Sequence, residues 1–136
     1  GHSMATDILV DLGEEELMKN GFDGQTFTVG VYNDSTDNLD DTSTVSDITS
    51  QPTNTNYAPQ TSTFTLANLA GDFGVDNDTE LSFDFSDIAT TEVVDAFFIE
   101  DGAGNLYFNA AMTQDRDIGA LDSLDVAPGD LQIVVN

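Results

Sequence analysis

Apolar and polar residues alternate along several short segments of this chain. In two segments every second residue is apolar: Phe27, Val29 and Val31 in the first, and Leu81, Phe83 and Phe85 in the second. A period of two places successive side chains on opposite faces of a β-strand. Both segments therefore predict strands with one buried face, and shorter apolar patterns predict further strands at residues 64–66 and 131–135.

Residues 93–99 differ from these segments because they are almost continuously apolar. Such a run predicts a strand that is covered on both faces. A turn of the type Asp-Gly-Ala-Gly follows at residues 101–104, and Leu106 begins a second apolar stretch. The pattern predicts a β-hairpin from Val93 to Leu106 in the interior of the protein.

One helix is predicted near the start of the chain, after a short strand at residues 8–10. Asp11 is a suitable N-cap, and Glu14 follows three residues later. Gly21 is suited to end the helix, and Lys19 lies in its last turn, where a cation stabilises the helix dipole.

Three polar segments predict irregular structure. Residues 33–56 are rich in Asp, Asn, Ser and Thr, and we expect a long loop that faces outward or lies at subunit contacts. Residues 71–78 predict a second loop, and an acidic segment precedes the short apolar pattern at residues 124–126. Many short strands with one helix predict an all-β fold, a small antiparallel β-sandwich or barrel that is jelly-roll-like, with one short N-terminal helix. We expect a single domain over residues 1–136, in which residues 1–3 look like the remnant of an expression tag.

The charge balance is extreme: 26 acidic residues stand against two basic ones, which gives a formal net charge of −24. Such a surface repels itself, and molar salt screens that repulsion. We interpret the composition as that of a protein from an extreme halophile or from a virus of one. Two cations cannot neutralise a phosphate backbone, so nucleic-acid binding is excluded. No apolar run predicts a membrane span, and there are no cysteines.

The sequence contains no nucleophile elbow, phosphate-binding loop or zinc-protease motif. A carboxylate pair such as Asp84 with Asp95 can be nominated for acid–base chemistry, but among 26 acids such a pair carries little information. We therefore predict that the chain is not an enzyme.

Cation binding is the stronger chemical alternative. Acidic residues crowd into residues 34–41 and 72–78, and Ca²⁺ or Mg²⁺ prefers such oxygen ligands. Asp72, Asp76 and Asp78 are the candidate metal ligands, although the glycine and distal glutamate of an EF-hand are missing. Loops solvated in brine explain these clusters as well, and we expect no obligatory cofactor.

Four further segments carry motifs in a recognisable order: Val29-Gly30-Val31-Tyr32-Asn33, Tyr57-Ala58-Pro59-Gln60, the aromatic strand and turn at residues 97–106, and Gly129-Asp130-Leu131-Gln132-Ile133. Together they resemble a family of small structural proteins that tailed viruses encode among their head and tail genes. The resemblance extends over residues 8–135. Pro59 stands where that family has an arginine.

The resemblance implies a non-enzymatic virion protein, and with the charge it predicts a haloarchaeal tailed virus. We expect a capsid decoration or turret-like subunit that binds the major capsid protein or other virion proteins and forms a homo-oligomer, a trimer or pentamer. Tyr32, Tyr57 and Tyr107 are candidate contact residues, since tyrosine is favoured at interfaces, although each also fits a core or edge position. The alternative is a secreted or surface carbohydrate- or cation-binding β-module of a halophilic archaeon.

Overall fold

The computed structural model describes residues 23–69 and 72–135. These residues form eight β-strands, the short helix α1 and two 3-10 turns at Val45–Asp47 and Ile118–Ala120. In chain order the elements are β1 (Gln25–Tyr32), α1 (Asp34–Asp37), β2 (Gln60–Leu69), β3 (Asp72–Asn77), β4 (Leu81–Asp84), β5 (Val93–Glu100), β6 (Leu106–Asp117), β7 (Ser123–Val126) and β8 (Gln132–Val135). The pairs β1–β5, β5–β6, β2–β3 and β3–β8 are antiparallel. The prediction of an all-β antiparallel fold is confirmed, whereas the predicted N-terminal helix and Lys19 lie outside the described residues.

Contacts between residues group the chain into two compact units. The described part of the first unit comprises residues 23–26, 62–69, 72–80 and 126–135, and the second unit comprises residues 27–61 and 81–125. The single domain expected from the length stays a prediction.

The first unit is built on strands β2, β3 and β8. Leu66 lies opposite Val75, and Val75 lies opposite Ile133. Phe64 and Val75 are completely buried. The loop predicted at residues 71–78 was wrong, because residues 72–77 form the strand β3. Pairing with a strand on each side satisfies its backbone groups, which outweighs the low strand propensity of Asp, Gly and Asn.

The second unit contains strands β1, β5 and β6, with β4 and β7 as a two-stranded sheet. β5 lies between β1 and β6; Val94, Ala96 and Phe98 are buried on one of its faces, and Ile99 is buried on the other. The predicted hairpin is confirmed, with its turn at residues 101–105, but its predicted place in the interior is wrong, because residues 102–105 are exposed and β6 has no buried residue. The second strand of the hairpin extends well beyond the predicted residues 106–108, since β6 continues to Asp117. Its register with β5 shifts between Ala111 and Arg116, so a bulge accommodates this polar stretch.

Residues 33–56 contain no strand, and this part of the loop prediction is confirmed. The segment contains α1 and the first 3-10 turn, and two of its side chains, Ile48 and Pro52, are buried. Within the described ranges, no helix combines the length and the apolar character required to cross a membrane.

Gly30 on β1 marks a close approach inside the second unit. A Cβ atom at this position would overlap the ring of Phe98 and lie 2.8 Å from the hydroxyl of Tyr57. We expect Gly30→Ala to lower the free energy of unfolding by about 1–3 kcal/mol, because a methyl group forced into a packed core displaces its neighbours. Urea denaturation measures this loss. Gly24→Ala is a poor control, because Gly24 has a positive φ and alanine would strain the backbone there. Ala111→Gly, which changes an exposed strand position by the same methyl group, is better matched. A Gly30→Ala protein as stable as the original chain would contradict the predicted overlap.

Candidate functional site

A groove runs along strand β6 in the second unit, and we call it the β6 groove. One wall is formed by residues 34–43, the other by residues 106–115, and Asp95 and Ala96 of β5 contribute to its floor. It consists of a polar cavity of about 570 Å³ and a smaller, more apolar cavity of about 380 Å³. Asn109 lines both cavities, so they meet at this residue.

Tyr32 links the two walls from below. Its side chain is completely buried and packs edge-on against Phe98, with ring centroids 6.0 Å apart. The hydroxyl donates a hydrogen bond of 3.0 Å to Oδ1 of Asp34 and accepts one of 3.2 Å from Nδ2 of Asn109. Burial, together with the neighbouring carboxylate of Asp34, raises the pKa of Tyr32 above its ordinary range. Tyr32 thus remains a neutral bridge between α1 and β6 at every pH of interest.

Asp95 holds the first wall in place. Its Oδ1 accepts a hydrogen bond of 2.6 Å from the backbone N–H of Asp34, and its Oδ2 accepts bonds of 3.2 Å and 2.6 Å from the N–H and hydroxyl of Ser35. Partial burial favours the neutral acid, but these hydrogen bonds outweigh it and lower the pKa of Asp95. A carboxylate fixed by several donors presents its charge in one orientation.

Asp37, like Asp95, accepts hydrogen bonds from backbone N–H groups and so fixes the loop further along the chain. Its carboxylate accepts backbone hydrogen bonds of 3.0 Å from Thr49 and 3.2 Å from Ser50. The hydroxyls of the same two residues donate to it at 2.5 Å and 2.7 Å. Burial opposes ionisation, but the four hydrogen bonds lower the pKa of Asp37. Residues 33–50 are therefore tied together by carboxylates that receive backbone N–H groups, and we call Asp37 and Asp95 the carboxylate clamps.

The clamps predict a specific pH dependence. A carboxylate whose pKa is lower in the folded state stabilises it fully above the unfolded value, near about 3.9, and loses this contribution as the pH falls through the lower folded value. In about 3 M KCl, where general repulsion is screened, we expect Asp37→Asn to lower stability at neutral pH by about 1 kcal/mol. Solvent screening at this partly exposed site keeps the effect small.

Thermal melts followed by circular dichroism between about pH 2 and pH 7 test this expectation, because the difference between Asp37→Asn and the original chain should shrink as the pH falls below the unfolded pKa and vanish below the lower folded pKa. Asp122→Asn removes the same charge at an exposed position outside the clamps and serves as the control. A constant difference across the whole pH range would refute the role of the Asp37 charge.

The three tyrosines predicted as contact residues occupy different environments. Tyr32 is completely buried and has no surface to offer a partner. Tyr57 stacks against Phe83 and Phe85 with centroid distances of 6.1 Å, while its hydroxyl donates to Gln51 and accepts from the N–H of Val31. Burial raises the pKa of Tyr57 to about 12. Tyr107, by contrast, is 45% exposed and is the large hydrophobic side chain that the described surface presents to solvent.

Among the described residues, the structure supports neither acid–base chemistry by Asp84 with Asp95 nor a metal site at Asp72, Asp76 and Asp78. The pKa of Asp84 is lowered by hydrogen bonds from Ser86, as that of Asp95 is by Ser35, so neither carboxyl has the raised pKa of a general acid. Asp72 and Asp76 lie on β3, and the Oδ1 of Asp78 accepts a bond of 2.6 Å from Thr65. In residues 23–69 and 72–135, no three acidic or histidine side chains are grouped as a metal site.

The groove was not anticipated as a site from the sequence. One signal pointed to it: Asp95 is the single charged residue within the apolar run at residues 93–99, and a carboxylate there requires hydrogen-bond donors. Asn109 gave no such signal, because its role depends on the register between β5 and β6. Comparisons of this chain with protein-family models, with curated proteins and with solved structures found no match.

Proposed function

We propose that the chain is a non-enzymatic structural protein of a halophilic archaeal tailed virus, a decoration or turret-like subunit that binds the capsid. The observation that carries the proposal is how the carboxylates are used. Asp37 and Asp95 receive backbone N–H groups and have lowered pKa values, so they stay charged and build a fixed anionic exterior. Such a surface suits a protein that is permanently exposed to brine and acts by binding.

The resemblance of the motif order to small head and tail proteins supports a place in the particle. The exposed ring of Tyr107, next to the buried Phe27 at a centroid distance of 5.5 Å, supports docking through an aromatic surface. The partner is the major capsid protein or another virion protein. Many copies act together as a trimer or pentamer, because closed cyclic assemblies bury an apolar edge efficiently.

Virus particles purified in molar salt test the proposal directly. Particles from a haloarchaeal culture that carries the gene are separated on a density gradient, and each fraction is analysed by mass spectrometry. The chain should co-migrate with the major capsid protein at a constant ratio. Light scattering of the purified protein should give a trimer or pentamer in brine and a monomer in dilute buffer, where like charges repel. Absence of the chain from the particles would refute the proposal.

A second candidate is a carbohydrate-binding module of a halophilic archaeon, which the polar lining of the larger cavity favours. Ser35, Asn109 and Gln114 supply hydroxyl and carboxamide groups there, and such groups recognise sugars. Titration calorimetry with neutral oligosaccharides in molar KCl distinguishes the two candidates. Saturable binding that Asn109→Ala abolishes would favour the module over the virion protein.

A further inference from the structure

The β6 groove has the dimensions of an extended peptide. Its two walls span residues 34–43 and 106–115, of which seven and nine residues line the groove. At about 3.3 Å per residue a strand the length of the second wall measures about 30 Å. The bulge after Ala111 shortens this distance, so a segment of about eight residues fits between the two ends.

The end of the groove near Tyr107 is the more apolar of the two, and we call it the apolar lobe. Leu39, Leu106 and Tyr107 line it, with Phe108 beside them. Leu39 and Leu106 also pack against the buried cluster of Tyr32, Ile48, Ala96 and Phe98, so the lobe rests on a rigid core. Apolar lining residues that rest on a fixed core are suited to receive one apolar side chain.

The other end is acidic, and we call it the acidic lobe. Asp34, Asp95 and Asp115 line it, and Asp40 and Asp41 are among the lining residues of the apolar lobe. The lining residues of both lobes include no lysine or arginine. Asp34 and Asp95 are held by the hydrogen bonds described above, so their carboxylates are already oriented for a cation. Met112 and Ala111 line the same lobe and can cover the aliphatic part of a long basic side chain.

We propose that the β6 groove binds an extended basic segment of a partner protein. The segment carries an apolar side chain that enters the apolar lobe and, about five residues away, an arginine or lysine that enters the acidic lobe. The inference rests on the proposed function, in which the partner is a protein of the same particle. The inference adds the chemistry of the contact. Because this chain has two basic residues, the cations of the contact come from the partner.

Charge decides between this occupant and two others. The five carboxylates along the groove can accept hydrogen bonds from a neutral oligosaccharide, but only a basic segment is also attracted by their charge. A second copy of this chain has two basic residues against 26 acidic ones, so it offers the groove few cations even in brine, where the general repulsion is screened. The complementarity of the groove therefore favours a cationic protein segment.

The probe is a fluorescein-labelled glycine–serine peptide of about ten residues with one leucine and, about five positions later, one arginine. Fluorescence anisotropy is measured at the lowest KCl concentration at which circular dichroism shows the chain to be folded. We expect saturable binding that weakens as KCl is raised. Tyr107→Ala should weaken it about tenfold and Asp115→Asn about threefold, since a buried anchor contributes more than a charge at the rim.

Circular dichroism spectra of both groove variants guard against a loss of folding. As a matched control, Asp122→Asn removes an exposed charge outside the groove and should leave binding unchanged. A peptide with glutamate in place of the arginine should not bind. Equal binding of the two peptides, or binding that Tyr107→Ala and Asp115→Asn leave unchanged, would overturn the assignment. So would a neutral oligosaccharide that displaces the peptide, or a homodimer that Tyr107→Ala abolishes.

The peptide assay and the particle assay can fail separately. If the chain is part of the purified particle but the groove binds no peptide, the groove assignment is overturned and the proposed function stands. If the groove binds the peptide as expected but the chain is absent from the particle, the virion role is overturned and the basic partner must be sought elsewhere.

Discussion

Lowering KCl from about 3 M to about 0.1 M should reduce the melting temperature of this protein by about 15 °C or more. The cause is the net charge of −24 on 136 residues. The screening length grows from about 3 Å at 1 M salt to about 10 Å at 0.1 M. The repulsion between surface carboxylates, which is screened in brine, therefore acts across the surface in dilute buffer. A shift of this size corresponds to about 4 kcal/mol for a chain of this length.

Thermal melts followed by far-ultraviolet circular dichroism across a series of KCl concentrations measure the effect. Sucrose is the control: it stabilises folded proteins by exclusion from their surface but leaves the charge repulsion unscreened, so it should restore only part of the melting temperature that KCl provides. A melting temperature that does not change with ionic strength would contradict the interpretation of the chain as halophilic.

The second large effect is expected at Asn77, whose carboxamide is 1% exposed at the end of β3. Its Nδ2 donates hydrogen bonds of 2.8 Å to the carbonyl of Thr79 and 3.1 Å to that of Ala127, and its Oδ1 accepts one of 2.9 Å from the N–H of Leu131. A single side chain thus satisfies three backbone groups and fixes the turn before β8 to β3. Removing it leaves these groups without their partner in a site from which water is largely excluded.

We expect Asn77→Ala to lower the free energy of unfolding by about 3–5 kcal/mol, the sum of three lost hydrogen bonds and the unpaired groups they leave. Asn77→Asp should be nearly as damaging at neutral pH, because a carboxylate would face two carbonyl oxygens. Urea denaturation in molar KCl measures both variants. Asn56→Ala, at an exposed position, should cost much less. If Asn77→Ala and Asn56→Ala are equally stable, water or a neighbouring group replaces the carboxamide.

Strands with a regular alternation could be predicted from the sequence. Leu81, Phe83 and Phe85 are all buried, and the residues between them are exposed, as a period of two requires. The hairpin from β5 to β6 was predicted for the same reason, since a long apolar run and a glycine-rich turn are local signals. Its turn has the two glycines, Gly102 and Gly104, at positive φ.

Strands held by pairing could not be predicted. Residues 72–77 have the composition of a loop, yet β2 and β8 flank them and supply hydrogen bonds on both edges. Likewise, the polar end of β6 reads as a connection, and only its register with β5 extends the strand to Asp117. Strand propensity depends on such tertiary context more than on the residue itself.

Predicting the groove would require knowing contacts between residues that are even further apart in the chain. Its central bridge joins Tyr32 to Asn109, which are 77 residues apart in the chain. The tyrosine pattern suggested three equivalent contact candidates, but their exposure differs from none for Tyr32 to 45% for Tyr107. Exposure of an aromatic residue on a strand follows from which face the sheet covers, and composition does not contain that information.

The carboxylate clamps also bear on how this protein can be engineered for work in fresh water. The obvious route is to replace aspartates by neutral or basic residues until the net charge resembles that of a mesophilic protein. The acids are not interchangeable for this purpose, because Asp37 and Asp95 hold backbone groups whereas Asp122 and Asp130 are exposed positions outside the clamps. A redesign should therefore begin at the latter positions and leave the clamps as they are, so that the loop keeps its shape while the salt requirement falls.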